Sequence, residues 1–226
     1  MAGDRHLDLG CGKFPRNPYG RAELHGIDMR ELDALDSGDP GFTYRRANVV
    51  VEPIPYPDGF LDSISAFDFI EHVPRLLADG HGGTRLPFIE LMNEIWRVLA
   101  DGGRFYAVTP AWPYPEAFVD PTHVNFITEE TLDYFTGDSP LGRIYGFRGH
   151  FELIRQDWVH PDEARNADAD SPENPIRPAR HYEHGSKRLA QRFRHWSRRM
   201  RGKPEERDPP QRHWLRWELR AVKTNG

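Results

Sequence analysis

The sequence predicts an α/β fold: a mostly parallel seven-stranded sheet with helices on both faces and an antiparallel last strand. Two observations indicate this fold. Short apolar segments alternate with helical stretches over about the first 160 residues. Within the last such segment, apolar residues alternate with charged ones. A chain of 226 residues has the size of one domain, so we expect a single domain over 1–226.

Seven strands are predicted from short runs with apolar or alternating positions. They span 4–9, 23–28, 43–48, 61–67, 103–109, 150–159 and 213–223. In the last run, Leu215, Trp217, Leu219 and Ala221 face one way, while Arg216, Glu218 and Arg220 face the other.

Two helices are predicted between these strands. One spans 86–99, where apolar residues recur at helical spacing, and another begins at Thr128, a good N-cap, with Leu132 and Phe135 on one face. The segment 13–22 contains two prolines and a glycine, so the first crossover helix is expected to be short or missing.

Composition predicts a soluble protein of a reducing cytoplasm. The chain has one cysteine and therefore no internal disulfide, and it shows neither a signal peptide nor an apolar run of the roughly 20 residues that span a membrane. The formal charge is −5, although the segment 187–203 contains eight Lys or Arg and no acid. The remaining body is therefore acidic, which is not typical of a general nucleic-acid binder.

A long insertion, 161–212, separates the last two predicted strands. Within it a basic amphipathic helix is predicted near 186–201, because Leu189, Phe193, Trp196 and Met200 recur along one helical face. Three interpretations stay open: this helix docks on the domain, lies on an anionic membrane surface, or clamps a phosphorylated or nucleic-acid substrate.

The most informative motif is the glycine loop (residues 8–12), which follows the first strand and reads Asp-Leu-Gly-Cys-Gly. Glycines there let the backbone approach a ligand closely, and Asp28, at the end of the second strand, is placed to bind the two hydroxyls of a ribose. A third glycine is absent and Pro15 stands where a helix would begin, so a dinucleotide pyrophosphate is disfavoured.

These residues resemble the class I S-adenosylmethionine (SAM) dependent methyltransferases, a Rossmann-like family. The resemblance extends to the loop 53–62, the strand 63–67, the turn 97–103 and the strand 104–109. It implies that SAM is the cofactor. The cofactor-binding residues it implies are Asp8, Gly10, Cys11, Gly12, Asp28 and Met29, with Asn48 and Val49 beside the adenine and Ala66 and Phe67 near the methionine end.

Acidic and imidazole side chains follow the fourth predicted strand as Asp68, Glu71 and His72, and His123 follows the fifth. If 68–73 forms a helical turn, Asp68 and Glu71 share one face, and together with the histidines they suit Mg²⁺ or another divalent cation. This pattern resembles metal-dependent 2′-O-methyltransferases of small RNAs and O-methyltransferases of the ubiquinone pathway, in which the first position is usually Glu.

The resemblance implies an O-methyltransferase acting on a small-molecule or sugar-containing acceptor, with Glu71, His72 and His123 as catalytic residues. Two other functions stay open: an RNA 2′-O-methyltransferase and a SAM-binding protein that transfers no methyl group. In a purely structural interpretation, Glu71 and His72 order their loop and His123 caps the next helix. The loop 110–118 places Trp112, Tyr114, Glu116 and Phe118 near the predicted mouth of the site. If a second subunit closes the site, the protein is a homodimer.

Overall fold

A computed structural model of the chain describes residues 4–31, 41–165 and 212–223. The strands are β1 (Arg5–Leu9), β2 (Glu23–Asp28), β3 (Thr43–Arg46), β4 (Leu61–Phe67), β5 (Leu77–Ala78), β6 (Thr84–Arg85), β7 (Leu99–Pro110), β8 (Phe151–Val159) and β9 (Trp214–Ala221). The helices are α1 (Pro87–Val98), α2 (Glu116–Val119) and α3 (Pro161–Arg165), and 3₁₀ helices span Ile70–His72, Glu129–Tyr134 and Leu141–Tyr145.

Seven strands form one sheet in the order β3-β2-β1-β4-β7-β9-β8, while β5 and β6 pair as a separate hairpin. Strands β1 to β4 and β7 are parallel, and β9 runs antiparallel to both of its neighbours. The predicted α/β class and the antiparallel last strand are confirmed.

The first face of the sheet packs against α1. Residues such as Leu7 and Leu9 of β1 and Trp217 of β9 are fully buried there with Leu91 and Ile95 of α1. Alternation along each strand sends every second side chain into this layer, and the 3.6-residue period of α1 supplies its matching apolar stripe.

The second face is covered differently. Tyr19, from the loop 13–22, packs on Tyr106 and Val108 of β7, together with Ala164 of α3. The loop contains no helix, as its prolines predicted. Helices therefore lie on both faces, but the helix on the second face, within the described residues, is the short α3.

Charged side chains of β9 are buried on this second face as ion pairs. Glu218 accepts hydrogen bonds from Arg104 and from the Tyr19 hydroxyl, both at 3.1 Å, and Arg216 donates to both carboxylate oxygens of Asp157. Pairing satisfies charges that burial alone would penalise strongly.

Two predictions are adjusted or left open at this stage. The helix expected from Thr128 is the 3₁₀ helix Glu129–Tyr134, capped by the hydrogen bond from Thr128 N–H to Thr131 Oγ1 at 2.9 Å. The predicted basic helix 186–201 lies outside the described residues. None of the helices in the described ranges has the length and apolar character needed to span a lipid bilayer.

Candidate functional site

The glycine loop leaves β1 with two residues in the left-handed region, Gly10 at φ +69° and Gly12 at φ +57°. The N–H groups of Gly10 and Cys11 both donate to the carbonyl of Ile27, at 2.8 and 3.1 Å, which fixes the loop against β2. A Cβ at Gly10 would lie 2.7 Å from the Phe69 ring. Both the backbone conformation and this close contact therefore require glycine at position 10.

Asp8 is the first residue of the glycine loop and ties it to the segment that follows and to β4. Its carboxylate accepts the Arg16 N–H at 2.9 Å and the Ser65 hydroxyl at 2.6 Å, and His6 Nε2 lies 2.9 Å from the same hydroxyl oxygen. Burial raises the pKa of Asp8 to about 7 and lowers the pKa of His6 to about 3. The geometry indicates that Asp8 positions the loop.

Asp28 ends β2 beside the loop. It accepts hydrogen bonds from Gly12 N–H at 3.0 Å and from three donors of Arg30: the backbone N–H at 3.0 Å, Nε at 2.9 Å and Nη2 at 2.8 Å. The side-chain hydrogen bonds of Arg30 lower the pKa of Asp28, so its carboxylate is ionised at neutral pH. An ionised carboxylate is the acceptor that ribose hydroxyls need, although the Arg30 side chain now occupies both oxygens.

The other predicted cofactor residues lie in varied surroundings. Cys11 is buried against Gly26, and desolvation raises the pKa of its thiol to about 12, which fits a packing role. Met29 is exposed, Val49 is buried, and Asn48 Oδ1 accepts the Val50 N–H at 3.3 Å.

At the end of β4, Ala66 is fully buried and Phe67 packs on Tyr106, on the second face. The residue against the glycine loop is instead Phe69, whose ring carbon is the one that a Cβ at Gly10 would meet. The sequence carries no signal for this contact, because Phe69 stands inside the acidic and imidazole motif.

Three of the four predicted metal ligands come together at the carboxyl ends of β4 and β7. Glu71, His72 and His123 each offer one ligand atom, and these atoms lie within 4.8 Å of one another. The two segments are joined by backbone, since the N–H groups of Val124 and Asn125 both donate to the Glu71 carbonyl at 2.9 Å.

The environment of this group is partly buried. Glu71 is 1% exposed and its Oε2 accepts the Thr109 hydroxyl at 2.8 Å. The rings of His72 and His123 meet edge to face, with centroids 4.8 Å apart. His123 Nδ1 is buried and has no hydrogen-bond partner within the described part of the chain.

A short relay orients His72. The Thr122 hydroxyl donates a hydrogen bond to Asp120 Oδ1 at 2.6 Å. Thr122 Oγ1 can therefore accept a hydrogen bond from the N–H of His72 Nδ1, 3.0 Å away. Neutral His72 then carries its proton on Nδ1 and presents an unprotonated Nε2, which is the form that accepts a proton.

Asp68, the fourth predicted ligand, lies apart from this group. It has φ +49°, and the 3₁₀ helix begins only at Ile70, so the helical turn expected from residue 68 does not form. Its Oδ1 accepts the indole N–H of Trp214 at 2.8 Å. Asp68 and Glu71 therefore do not share one helical face.

The predicted mouth residues of the loop 110–118 have two different surroundings. Trp112 and Phe118 line a cavity beside the site. Tyr114 instead stacks on His213, with centroids 3.9 Å apart, and Glu116 pairs with His213 Nδ1 at 2.8 Å. Tyr114 and Glu116 thus anchor the loop to the chain just before β9.

Three solved structures show what this architecture is similar to. A chain of a complex that contains the Haloferax volcanii Trm112 methyltransferase activator has a TM-score of 0.54 at 14% identity, covering 98% of this chain and 84% of that one. A SAM-dependent methyltransferase from Mesorhizobium loti has 0.50 at 16%, covering 96% and 91%. The [4+2]-cyclase SpnF has 0.51 at 15%, covering 97% and 76%.

The chain therefore has the Rossmann-like fold of the class I SAM-dependent methyltransferases. No protein-family model and no curated protein sequence matches it. Because one structure of this fold is named a cyclase, the fold alone does not define the reaction.

Proposed function

We propose that this chain is a SAM-dependent methyltransferase that methylates a hydroxyl of a small-molecule or sugar-containing acceptor. The observation that carries the proposal is the placement of the glycine loop and Asp28 at the same sheet edge as the imidazole pair His72 and His123. Ligands of open parallel sheets bind at that edge, beyond the carboxyl ends of the strands.

The residues of the glycine loop fit SAM. Gly10 and Gly12 keep the backbone open to close approach, and the Asp28 carboxylate is ready to accept the ribose hydroxyls once Arg30 yields. Asn48 and Val49 follow β3, where the resemblance puts the adenine. SAM supplies an electrophilic methyl group on a sulfonium sulfur.

His72 is our candidate for the general base. SAM bound here would supply its methyl group to the acceptor oxygen and leave as S-adenosylhomocysteine, and His72 Nε2 would take the hydroxyl proton. The relay through Thr122 to Asp120 orients the ring, directs Nε2 of the neutral tautomer away from Thr122, and stabilises the imidazolium that forms. His123, against the same ring, completes the wall that faces the acceptor.

A second candidate for the same site is cation-assisted transfer, which the clustering of Glu71, His72 and His123 favours. Two imidazoles and one carboxylate suit Mn²⁺, Fe²⁺ or Zn²⁺ better than Mg²⁺, which prefers oxygen ligands. A divalent cation there would lower the pKa of a bound hydroxyl. The three residues would hold it without Asp68.

The test is titration calorimetry with SAM, followed by transfer of a labelled methyl group to a panel of hydroxylated acceptors. We expect SAM to bind and at least one hydroxyl compound to be labelled. Tight binding of NAD without binding of SAM would contradict the cofactor assignment. Transfer that is unchanged by a chelator would reject the cation and leave His72 as the base.

A further inference from the structure

A cavity of about 800 Å³ opens beside the loop that carries His123. Its floor is formed by buried Phe88, at the start of α1, and Phe135, whose rings meet edge to face 5.3 Å apart. In a parallel β–α–β connection the helix begins near the carboxyl end of the first strand. The first turn of α1, with Phe88, therefore lies at the sheet edge where the proposed site is. The volume is that of pockets which bind small organic ligands.

Exposed aromatic side chains are concentrated at this cavity. Six aromatic residues are exposed in the described ranges, and all except Phe14 line it: Trp112, Phe118, Phe126, Tyr134 and Tyr145. Most other aromatic side chains in the described ranges are buried or half-buried. A cluster of exposed rings on one patch therefore indicates a surface that a ligand covers. Flat ring faces favour stacking against another ring.

The charges of the lining exclude a polyanion. Arg75 and Glu130 are its two charged side chains and have opposite signs. Arg75 is also held in place, because its Nε donates to Asn125 Oδ1 at 2.7 Å and its Nη2 donates to the Phe126 carbonyl. A nucleic-acid backbone would need several unopposed cations along its path.

The cavity adjoins the proposed base. Arg75 and Phe126 each lie three residues beyond a histidine of the pair, and the N–H of Asn125, between them, donates to the Glu71 carbonyl at 2.9 Å. A molecule that fills the cavity therefore borders directly on the segment that carries His72.

We propose that this aromatic cavity binds the body of the methyl acceptor, and that the acceptor is an uncharged, ring-bearing hydroxyl compound such as a phenol or naphthol. The inference rests on the proposed function and narrows it: a free sugar or an RNA does not match the apolar walls. The ring stacks among Phe118, Phe126 and Tyr145, with its hydroxyl directed towards His72.

The binding test uses the full-length protein and naphthol as the probe, measured by titration calorimetry without SAM. We expect the double variant Phe118→Ser/Phe126→Ser to weaken naphthol binding by about tenfold or more, since two ring contacts are lost. Ile144→Ser is the matched control, because Ile144 is 80% exposed, adjoins Tyr145 and does not line the cavity. Circular dichroism verifies that each variant is folded.

Equal naphthol affinity in the double variant and the control would overturn the proposal. So would a tenfold gain in affinity when Leu189, Phe193 and Trp196 are replaced by Ser, since the cavity would then be the seat of that segment of the same chain; unchanged affinity supports the proposal.

Labelled SAM separates this inference from the proposed function. Transfer to glucose or to an RNA oligonucleotide, undiminished in the double variant, overturns the acceptor class and leaves the methyltransferase standing. Naphthol binding that the double variant abolishes, without transfer to any acceptor, supports the cavity as a ring-binding site and contradicts the methyltransferase.

Discussion

The glycine loop and the mouth after β7 lie at the same edge of the sheet but are held in different ways. The loop is fixed by its backbone conformation, by its hydrogen bonds to the Ile27 carbonyl, and by those that Asp8 accepts from Arg16 and Ser65. The mouth is formed by partly exposed rings such as Trp112 and Phe126, on the segments next to the histidine pair.

This difference separates two tasks. A nucleoside cofactor is the same for many acceptors, and the site that we propose for it consists of main-chain atoms and two carboxylates. An acceptor site is built from side chains, which substitution alters without disturbing the sheet. Variants at the loop should therefore change SAM affinity, and variants at the mouth should change transfer.

The largest effect is expected at the mouth. His72→Gln should lower the rate of methyl transfer by about 100-fold or more, because the variant loses the imidazole that the Thr122 hydroxyl orients and that we propose as the general base. SAM affinity should stay unchanged. His81→Gln, on the exposed tip of the β5–β6 hairpin, is the control and should retain the wild-type rate. Loss of SAM binding in His72→Gln would break the division of tasks.

At the loop, Gly10→Ala should weaken SAM binding by about 30-fold or more, since the added Cβ meets the Phe69 ring and the positive φ is strained. Gly20→Ala is a matched control with φ +60° and open space around its Cβ position. Calorimetry with SAM measures both. Equal losses would show that backbone strain at either glycine weakens SAM binding, and that the contact between position 10 and Phe69 has no effect of its own.

The pH dependence of stability tests the support that Asp8 gives the glycine loop. Because the folded pKa of Asp8 lies above its unfolded value of 3.8, protonation of Asp8 favours the folded state, and the contribution of Asp8 to stability decreases as pH rises from about 4 to about 7. From pH 8 to pH 5, wild type should gain about 1 to 3 kcal/mol of unfolding free energy relative to Asp8→Asn. Urea unfolding at both pH values measures the gain. A constant difference between the two proteins would mean that Asp8 does not titrate in this range.

The smallest effect concerns Arg30. Removing its side chain in Arg30→Ala should strengthen SAM binding by about two- to fivefold, because the ribose hydroxyls no longer compete for Asp28 with an arginine whose own side chain is exposed and well hydrated. Arg5→Ala removes another exposed pair, with Glu23, and should have no effect. Weaker binding in Arg30→Ala would show instead that this side chain contacts the cofactor.

Much of the fold and of the loop is predictable because the signals are local. Alternating apolar and charged residues predict β9, and helical spacing predicts α1. The glycines at 10 and 12 predict a loop that a ligand can approach closely, and Asp28 predicts an acceptor for its hydroxyls. The mouth is less predictable because it depends on distant contacts. Asp68 looks like a ligand by spacing, yet its positive φ and its hydrogen bond to Trp214, 146 residues away, separate it from Glu71.

The buried ion pairs of β9 are equally hidden from sequence. Arg216 and Glu218 alternate with apolar neighbours, which predicts only that they share the opposite face, and Asp157, Arg104 and Tyr19 bury them there. Their partners come from three separate parts of the chain, and no local pattern identifies them.

The position of β9 between β7 and β8 has a consequence for how the molecule is assembled during synthesis. Strands β1 to β4 are complete within the first 67 residues and already include the segments of the glycine loop. In contrast, one side of β7 has no partner strand until residues 214–221 have been synthesised and can form β9. Contacts so distant in sequence form late. A nascent chain therefore acquires the segments that we propose to bind the cofactor well before Trp214 can fix the turn at Asp68, and transfer chemistry should be the last property to appear.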